Sequence, residues 1–350
     1  MTATDQDEEK DMQTIRVSIL GLGRLGASFG LALRRYNARK DARQRFEVVG
    51  FDLDERVAAR ARALGACDTT ARGIAAAAAE RQIVILALPF HEAEAAWSLI
   101  GRAMQPGTVV IDTAPFKQPS LTWAKKYAHD EVYLVGAAPI VNARYLFDGL
   151  DDLEHAAEDY FDDGVMLISP AAKADRDAVQ LVTDLSALIG AQVRFTDPAE
   201  HDSWASVMEA LPALIGVVAF EAIASQSHWD DARRVGNPAF GQLTHHLLEM
   251  HPDALRDLLL RERAALIRQI DAFSEALAAV RAVLAADDRA ALEALLIRQN
   301  ASFSEWLTRR RRNEWDPNPD GARPAVAETL MTSMFGSAIA KRLTRRDRDE

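Results

Sequence analysis

Short β-branched runs alternate with amphipathic stretches through the first half of the chain, and then the alternation stops. Ile15, Val17, Ile19 and Leu20 have the spacing of a buried strand. GLGRLG at 21–26 follows at once, then an apolar helical run through Leu31 and Leu33. A second strand over 46–51 ends at Asp52, and 53–64 reads as an amphipathic helix. Residues 65–68 lead to a short edge, and 74–80 is an alanine-rich helix. IVILAL at 83–88 is apolar throughout, as a strand covered on both faces requires. Helix 92–104, strand 108–112, helix 115–129 and strand 132–136 follow in turn. Strand 165–169, helix 174–189 and strand 192–195 close the series. Strand and helix in alternation predict an α/β fold, a Rossmann-like doubly wound parallel sheet over 14–196.

From 197 to 310 only helical periodicity remains, which predicts an all-helical C-terminal domain. A long helix spans 198–224 with a kink at Pro212, Pro238 marks a loop, and 253–284 and 289–309 are long amphipathic helices. The surplus of apolar helical faces points to a homodimer. Residues 1–13 read as a disordered tail, and 311–350 as a linker with a C-terminal helical extension over 327–343. The arginines at 309–312 suit a solvated helix end, where they complement the dipole.

Composition narrows the class. A chain of 350 residues holds about two domains, and a net charge of -11 argues against a nucleic-acid partner. The single cysteine, Cys67, excludes a disulfide framework and reads as a small buried apolar residue. The polar, acidic opening is no signal peptide, and charges interrupt the apolar runs short of the ~20 residues a membrane span needs. A cytoplasmic, soluble protein is expected, with a small-molecule substrate and no membrane partner. No histidine pair has the HExxH spacing and no GxSxG elbow occurs, so neither a metal site nor a serine nucleophile is expected.

The chemistry sits in the first strand–turn–helix–strand unit. Gly21 permits the tight turn, Gly23 lets a diphosphate approach the backbone, and Gly26 lets helix and strand pack closely. Leu22, Arg24 and Leu25 complete the loop, whose helix N-terminus offers N–H groups to an anion. Asp52 would accept hydrogen bonds from the adenosine ribose, and no basic residue follows it immediately, which selects NAD over NADP. Its distance from the glycines exceeds the usual ~20 residues; the polar insert at 36–45 accounts for the excess as a longer loop. Leu88 and Pro89 would border the cofactor at the carboxyl end of strand 83–88, where His91 also falls.

GLGRLGAS, the ALP turn at 87–89, DTAPFK at 112–117, VGAAPI at 135–140, AEHDSWASVMEALPALIGVVAF at 199–220 and HPDALRDLLLRERAALIRQIDAF at 251–273 occur in order. This resembles the prephenate/arogenate dehydrogenase family over about 14–310. The resemblance implies a Rossmann domain, a helical dimerisation domain and oxidative decarboxylation of prephenate with NAD(P), a step of tyrosine biosynthesis. It also implies a histidine in a Gly-His-Pro turn, and that position is Ala138 here. The serine of the family's Gly-Ser-x-Lys loop falls on Pro115, with Lys117 kept. The Ser-His-x-Pro-His helix reads Glu209, Ala210, Pro212 and Ala213, and the substrate-binding arginine falls near His246.

A slip in register rescues neither site, because no histidine lies between His129 and His155 or between His201 and His228. Lys117 and His91 are then the candidates for the proton-handling role. Asn142, Arg144 and His246 are the candidates to bind substrate, and the His201–Asp202 pair orients the long helix. The acidic loop 151–163 is expected to face solvent as a cover over the sheet edge. Three functions fit: an NAD-dependent dehydrogenase with an altered substrate, a catalytically inactive NAD-binding sensor, or a true prephenate dehydrogenase that uses Lys117 or His91.

Overall fold

The computed structural model describes residues 13–314 other than 149 and 151. The tail at 1–12 and the extension at 327–343 lie outside the described residues, whereas Gln13 opens the first strand. The described residues form two compact units that divide between Pro198 and Ala199.

In the first unit the strands are β1 (Gln13–Leu20), β2 (Gln44–Phe51), β3 (Thr69–Thr70), β4 (Ile83–Leu86), β5 (Val109–Asp112), β6 (Tyr133–Ile140), β7 (Val165–Pro170) and β8 (Gln192–Phe195). They make one eight-stranded sheet in the order β3-β2-β1-β4-β5-β6-β7-β8. The helices are α1 (Arg24–Asn37), α2 (Glu55–Leu64), α3 (Ile74–Ala78), α4 (Phe90–Ile100), α5 (Lys117–Tyr127) and α6 (Arg176–Leu188). The strand order reverses between β1 and β4, which opens a crevice at their carboxyl ends. Register fixes that edge: Leu20 pairs with Leu86, Leu86 with Asp112, and Asp112 with Gly136.

Each sheet face is buried. Ile15, Val17, Ile19, Ile85 and Ile111 pack with Phe29 and Leu33 of α1 and Val182 of α6 on one face. Leu20, Val84, Leu86 and Val110 pack with Trp97 and Ile100 of α4 on the other. Full burial of each such large side chain contributes about 1.5–3 kcal/mol, which explains the unbroken apolar runs in the central strands. Cys67 is buried among them, and desolvation pushes its thiol up to about 11.

Two expectations need correction. Residues 136–139 form no turn, because β6 continues to Ile140 and pairs with β7. That ladder is antiparallel, so the sheet is mixed rather than wholly parallel. Pro139 fits within it because β5 ends at Asp112, so no parallel neighbour demands its missing N–H.

The second unit is helical. It holds α7 (Pro198–Ala205), α8 (Leu211–Ala224), α9 (Trp229–Ala232), α10 (Pro238–Thr244), α11 (His246–Glu249), α12 (Pro252–Arg261), α13 (Arg263–Ala285) and α14 (Arg289–Arg312). The kink attributed to Pro212 is a π turn at Ser206–Ala210. Pro212 has no N–H for the carbonyl one turn back, and the wider turn absorbs the mismatch. The helix expected over 253–284 is broken at Glu262, where φ is -107° and ψ is 44°. Pro198–Ala224 also departs from expectation, because it is long and apolar enough to cross a membrane by length and composition. Only 17% of its most apolar window is buried.

Candidate functional site

Gly21 adopts φ +93°, and its N–H donates to the Phe51 carbonyl at 2.8 Å, joining the turn to the end of β2. A Cβ there would stand 2.3 Å from the Ala87 carbonyl oxygen. A Cβ on Gly26 would stand 1.9 Å from the Gly21 carbonyl oxygen, so α1 begins against its own turn only because both residues are glycine. Gly23 differs: a Cβ there would meet nothing within 4 Å, so the space beside it is open. Gly23 is also the N-cap of α1, without a side-chain cap and with no acidic residue in the first turn. The N-cap thus supplies no side chain to the first N–H groups of this helix, and the space beside it is open, which fits a diphosphate.

Asp52 stands at the end of β2, partly exposed. Its Oδ2 accepts from the Leu22 N–H at 2.9 Å and its Oδ1 from the Asp54 N–H at 2.9 Å. The carboxylate thus ties the glycine turn to β2, and each oxygen keeps a lone pair for a ribose hydroxyl. Arg56, the next cation in sequence, pairs with Asp54 at 2.9 Å and holds that carboxyl at about 2. A ribose 2′-phosphate would meet Asp52 and Asp54 together, so the residues suit NAD. The side chains of Leu22 and Leu25 pack inward, so these residues serve the site through their backbone. Leu88 packs on the second core, and exposed Pro89 caps α4.

Arg24 was expected at the cofactor, but its side chain is turned into the loop after β6. It is only 3% exposed. Nη1 donates to Asp148 Oδ1 at 2.9 Å and to the Leu150 carbonyl, and Nη2 donates to Asp148 Oδ2 at 2.6 Å. The guanidinium lies 5.0 Å from the Tyr145 ring centre and 4.7 Å from that of Tyr160. The neighbouring acidic stretch turns charged side chains such as Asp152 and Glu154 to solvent as expected, but it is also anchored on α1: the Ala157 N–H donates to Ser28 Oγ at 3.1 Å, and the Phe161 ring lies 4.4 Å from that of Phe29.

Asn142 and Arg144 also have local employment rather than a free binding face. Asn142 Oδ1 accepts from the Arg144 N–H at 3.1 Å, and its Nδ2 donates to the Asp159 carbonyl at 3.3 Å. The Arg144 guanidinium and the Tyr145 hydroxyl both donate to the Asp159 carboxylate. Burial and that carboxylate push the Tyr145 phenol up to about 12.

The sheet register brings three expected positions to one edge. His91, Lys117 and Ala138 lie just beyond the paired residues Leu86, Asp112 and Gly136 of adjacent strands. His91 is the second residue of α4, with Nε2 3.7 Å from Glu92 Oε1. Lys117 was expected as an accessible base or carboxylate anchor. Instead it is 1% exposed, and its Nζ donates to the carbonyls of Asp112 at 2.9 Å and Ala114 at 2.6 Å. Its stem crosses Gly136, where a Cβ would stand 3.0 Å from Lys117 Cδ.

In the helical unit, His246 stacks on His245 at 3.8 Å between ring centres, and burial followed by that neighbour lowers its pKa. Buried His201 has Nδ1 3.5 Å from Asp202 Oδ1, consistent with a structural pair. No group of three or more metal-ligating side chains occurs among the described residues.

Sequence reasoning missed Gly30 and Asp148. A Cβ on Gly30 would stand 1.7 Å from the Ala66 carbonyl oxygen, and its place one turn after Gly26 was the available signal. Asp148 carried no signal, since its partner is 124 residues away.

Residues 29–195 match the family described as the prephenate dehydrogenase nucleotide-binding domain. Over 280 residues the chain is 21% identical to the prephenate dehydrogenase of Bacillus subtilis, covering 78% of this chain and 71% of that one. It is 22% identical over 277 residues to the cyclohexadienyl dehydrogenase of Zymomonas mobilis, covering 78% and 89%. The fold matches the prephenate dehydrogenase of A. aeolicus, solved in complex with hydroxyphenyl propionate and NAD+, with a TM-score of 0.69 at 19% identity over 84% of this chain and 99% of that one. The arogenate dehydrogenase of Synechocystis matches with a TM-score of 0.60 at 16% identity over 83% and 100%.

Proposed function

We propose that this chain, which belongs to the prephenate dehydrogenase family through its nucleotide-binding domain, is an NAD-dependent dehydrogenase acting on a substrate other than prephenate. One observation carries the reading. The glycine turn and Asp52 are intact, yet the positions where the resemblance places histidines are Ala138, Ala210 and Ala213. A methyl group neither takes a proton nor pairs with a carboxylate. Losing a positioned general base costs about 10²–10⁴-fold in rate, and a dicarboxylate without compensating partners is desolvated at a loss. A neutral or monocarboxylic secondary alcohol escapes the second cost.

Bound NAD would accept a hydride from the carbon that bears the hydroxyl. The N–H groups of the 22–26 turn would hold its diphosphate and Asp52 its ribose, while Leu88 and Pro89 border it at the end of β4. His91, at the adjoining edge, is the proposed acceptor of the hydroxyl proton. Lys117 is a positioning residue, because its ammonium pins the segment after β5 by two carbonyls. The test is NADH formation with prephenate, arogenate and a panel of neutral and monocarboxylic secondary alcohols, for the natural protein and His91→Ala. Turnover of a panel member, lost in His91→Ala, supports the reading; prephenate turnover at a rate His91→Ala leaves intact overturns it. NAD binding with no turnover on any substrate would favour the second reading, a sensor, which the engagement of Lys117 by carbonyls also supports.

A homodimer in the cytoplasm completes the proposal. The apolar stretch Pro198–Ala224 is 17% buried in its most apolar window, and Val218 is 55% exposed. A second copy would cover this face. Val218→Asp should then halve the mass measured by light scattering, and an unchanged mass would place the interface elsewhere.

A further inference from the structure

The Arg24–Asp148 pair starts at the residue that follows Gly23, in the turn proposed above to hold the diphosphate. Arg24 is the first residue of α1, directly after the open space at Gly23, and belongs to the uncapped first turn. Its guanidinium is the one cationic side chain in that turn. A buried guanidinium needs an anion, and Asp148 supplies it with two hydrogen bonds at 2.9 and 2.6 Å, between two tyrosine faces. The pair lowers the Asp148 carboxyl below its ordinary value, chiefly through the Arg24 hydrogen bond, so the carboxylate keeps its charge at neutral pH. Two consequences oppose a diphosphate: the adjacent positive charge is already neutralised, and a negative charge stands beside the anion site. Asp148 is the more exposed partner, at 27% against 2% for the arginine side chain, so it can leave into water while Arg24 cannot leave without a new anion.

We propose that Asp148 is an internal competitor for the cofactor diphosphate: it holds Arg24 until the dinucleotide binds, and the diphosphate then takes the guanidinium over. The exchange trades one charge-assisted, two-bond contact for another, so it is close to neutral in energy and sets cofactor affinity. It also links the two halves of the site. The residues that Asp148 would release, Tyr145 to Asp148, begin five residues past the end of β6, the strand that carries Ala138.

The measurement is NAD affinity by titration calorimetry on the full-length protein, at one fixed ionic strength. Asp148→Asn keeps the shape and one acceptor but removes the charge, and it should tighten NAD binding about tenfold, the range expected when a close competing charge is removed. Arg24→Ala should weaken NAD binding, and adding Asp148→Asn to it should produce no further change. Asp148→Glu, which keeps the charge, should bind as the natural protein does. If Asp148→Asn leaves affinity unchanged or weakens it, the pair is a structural clamp and the proposal fails. A second measurement needs no variant: NAD should speed amide hydrogen exchange at 145–148, and protection there would overturn the exchange of partners.

Discussion

Two glycines in one turn should fail in opposite ways when given a methyl group. Gly23 has φ -63° and ψ -171°, extended backbone open to alanine, and its added Cβ would meet nothing within 4 Å. Gly23→Ala should therefore change stability by less than about 0.5 kcal/mol. The methyl would stand where the diphosphate approaches, displacing it from one or two N–H groups. Each charge-assisted hydrogen bond lost costs about 1.5–3 kcal/mol, so NAD affinity should fall at least ~10-fold and, if two are lost, up to ~10⁴-fold. Gly26→Ala is the reverse case, because its Cβ would lie 1.9 Å from the Gly21 carbonyl oxygen, a backbone atom that no rotamer can move aside. Forcing α1 off the turn costs about 1–3 kcal/mol, or ~2–12 °C in Tm for a domain of this size. Thermal melts and calorimetric NAD titrations of both variants separate the effects. If Gly23→Ala binds NAD as tightly as the natural protein, the open space beside Gly23 is not the diphosphate site and the assignment of this turn is wrong.

Lys117→Met removes the ammonium but leaves the Asp112 and Ala114 carbonyls buried without that donor. At about 1–3 kcal/mol per carbonyl left without its donor, less the relief of no longer burying a desolvated charge, Tm should fall by several degrees; a melt equal to the natural protein's would show that the lysine does not pin the loop. Burial raises the Asp184 carboxyl above its ordinary value, against the hydrogen bond from Gln180. A raised folded value means that ionisation costs stability above that pKa and nothing below the unfolded value of about 3.9. Asp184→Asn should therefore raise Tm at pH 7 and lose its advantage as pH falls through 4, and a variant less stable at pH 7 would contradict the sign. Cys67, with its thiol near 11, should be about one part in a thousand thiolate at pH 8 and resist a thiol reagent until the protein unfolds. Rapid stoichiometric labelling of the native protein would refute its burial.

What could be read from the sequence follows the range over which each interaction acts. The glycine turn, Asp52 and the central strands are local patterns whose geometry is set within a few residues, and each stands where the pattern put it. The β6–β7 ladder was hidden because strand direction depends on the connection, and the 24 residues between Ile140 and Val165 resemble a crossover in length without forming one long helix. The partners of Arg24, Asn142 and Arg144 were hidden for one cause. Each is a polar side chain near the edge, and each pairs with an aspartate further along the chain, Asp148 or Asp159. Ion pairing between positions 15 or 124 residues apart leaves no periodic trace. Lys117 misleads for a similar reason, since carbonyl acceptors are present at every residue and only the fold says which are in reach.

The two halves of the site rest on different parts of the residues, and this allows one to change without the other. Cofactor recognition at 21–26, as proposed above, would be carried by backbone N–H groups, the absence of Cβ atoms and one carboxylate that also holds the turn. Substituting Gly21, Gly26 or Asp52 disturbs the turn itself, because the two glycines close against backbone oxygens and Asp52 bonds the Leu22 N–H, whereas Gly23 has open space for a Cβ. Substrate chemistry depends on side-chain tips, and a tip can be lost with little effect on the strand or helix beneath it. Ala138 sits in β6 with its ladder intact, and Ala210 and Ala213 are buried with exposures of 0% and 1%. A histidine at either helical position would need room the packing does not offer, so restoring the family's residues one at a time should cost stability before it gains activity. A glycine turn whose Gly21 and Gly26 the packing holds in place thus stands in a chain with alanine at 138, 210 and 213, and under the function proposed above those three positions are where a change of substrate would be sought.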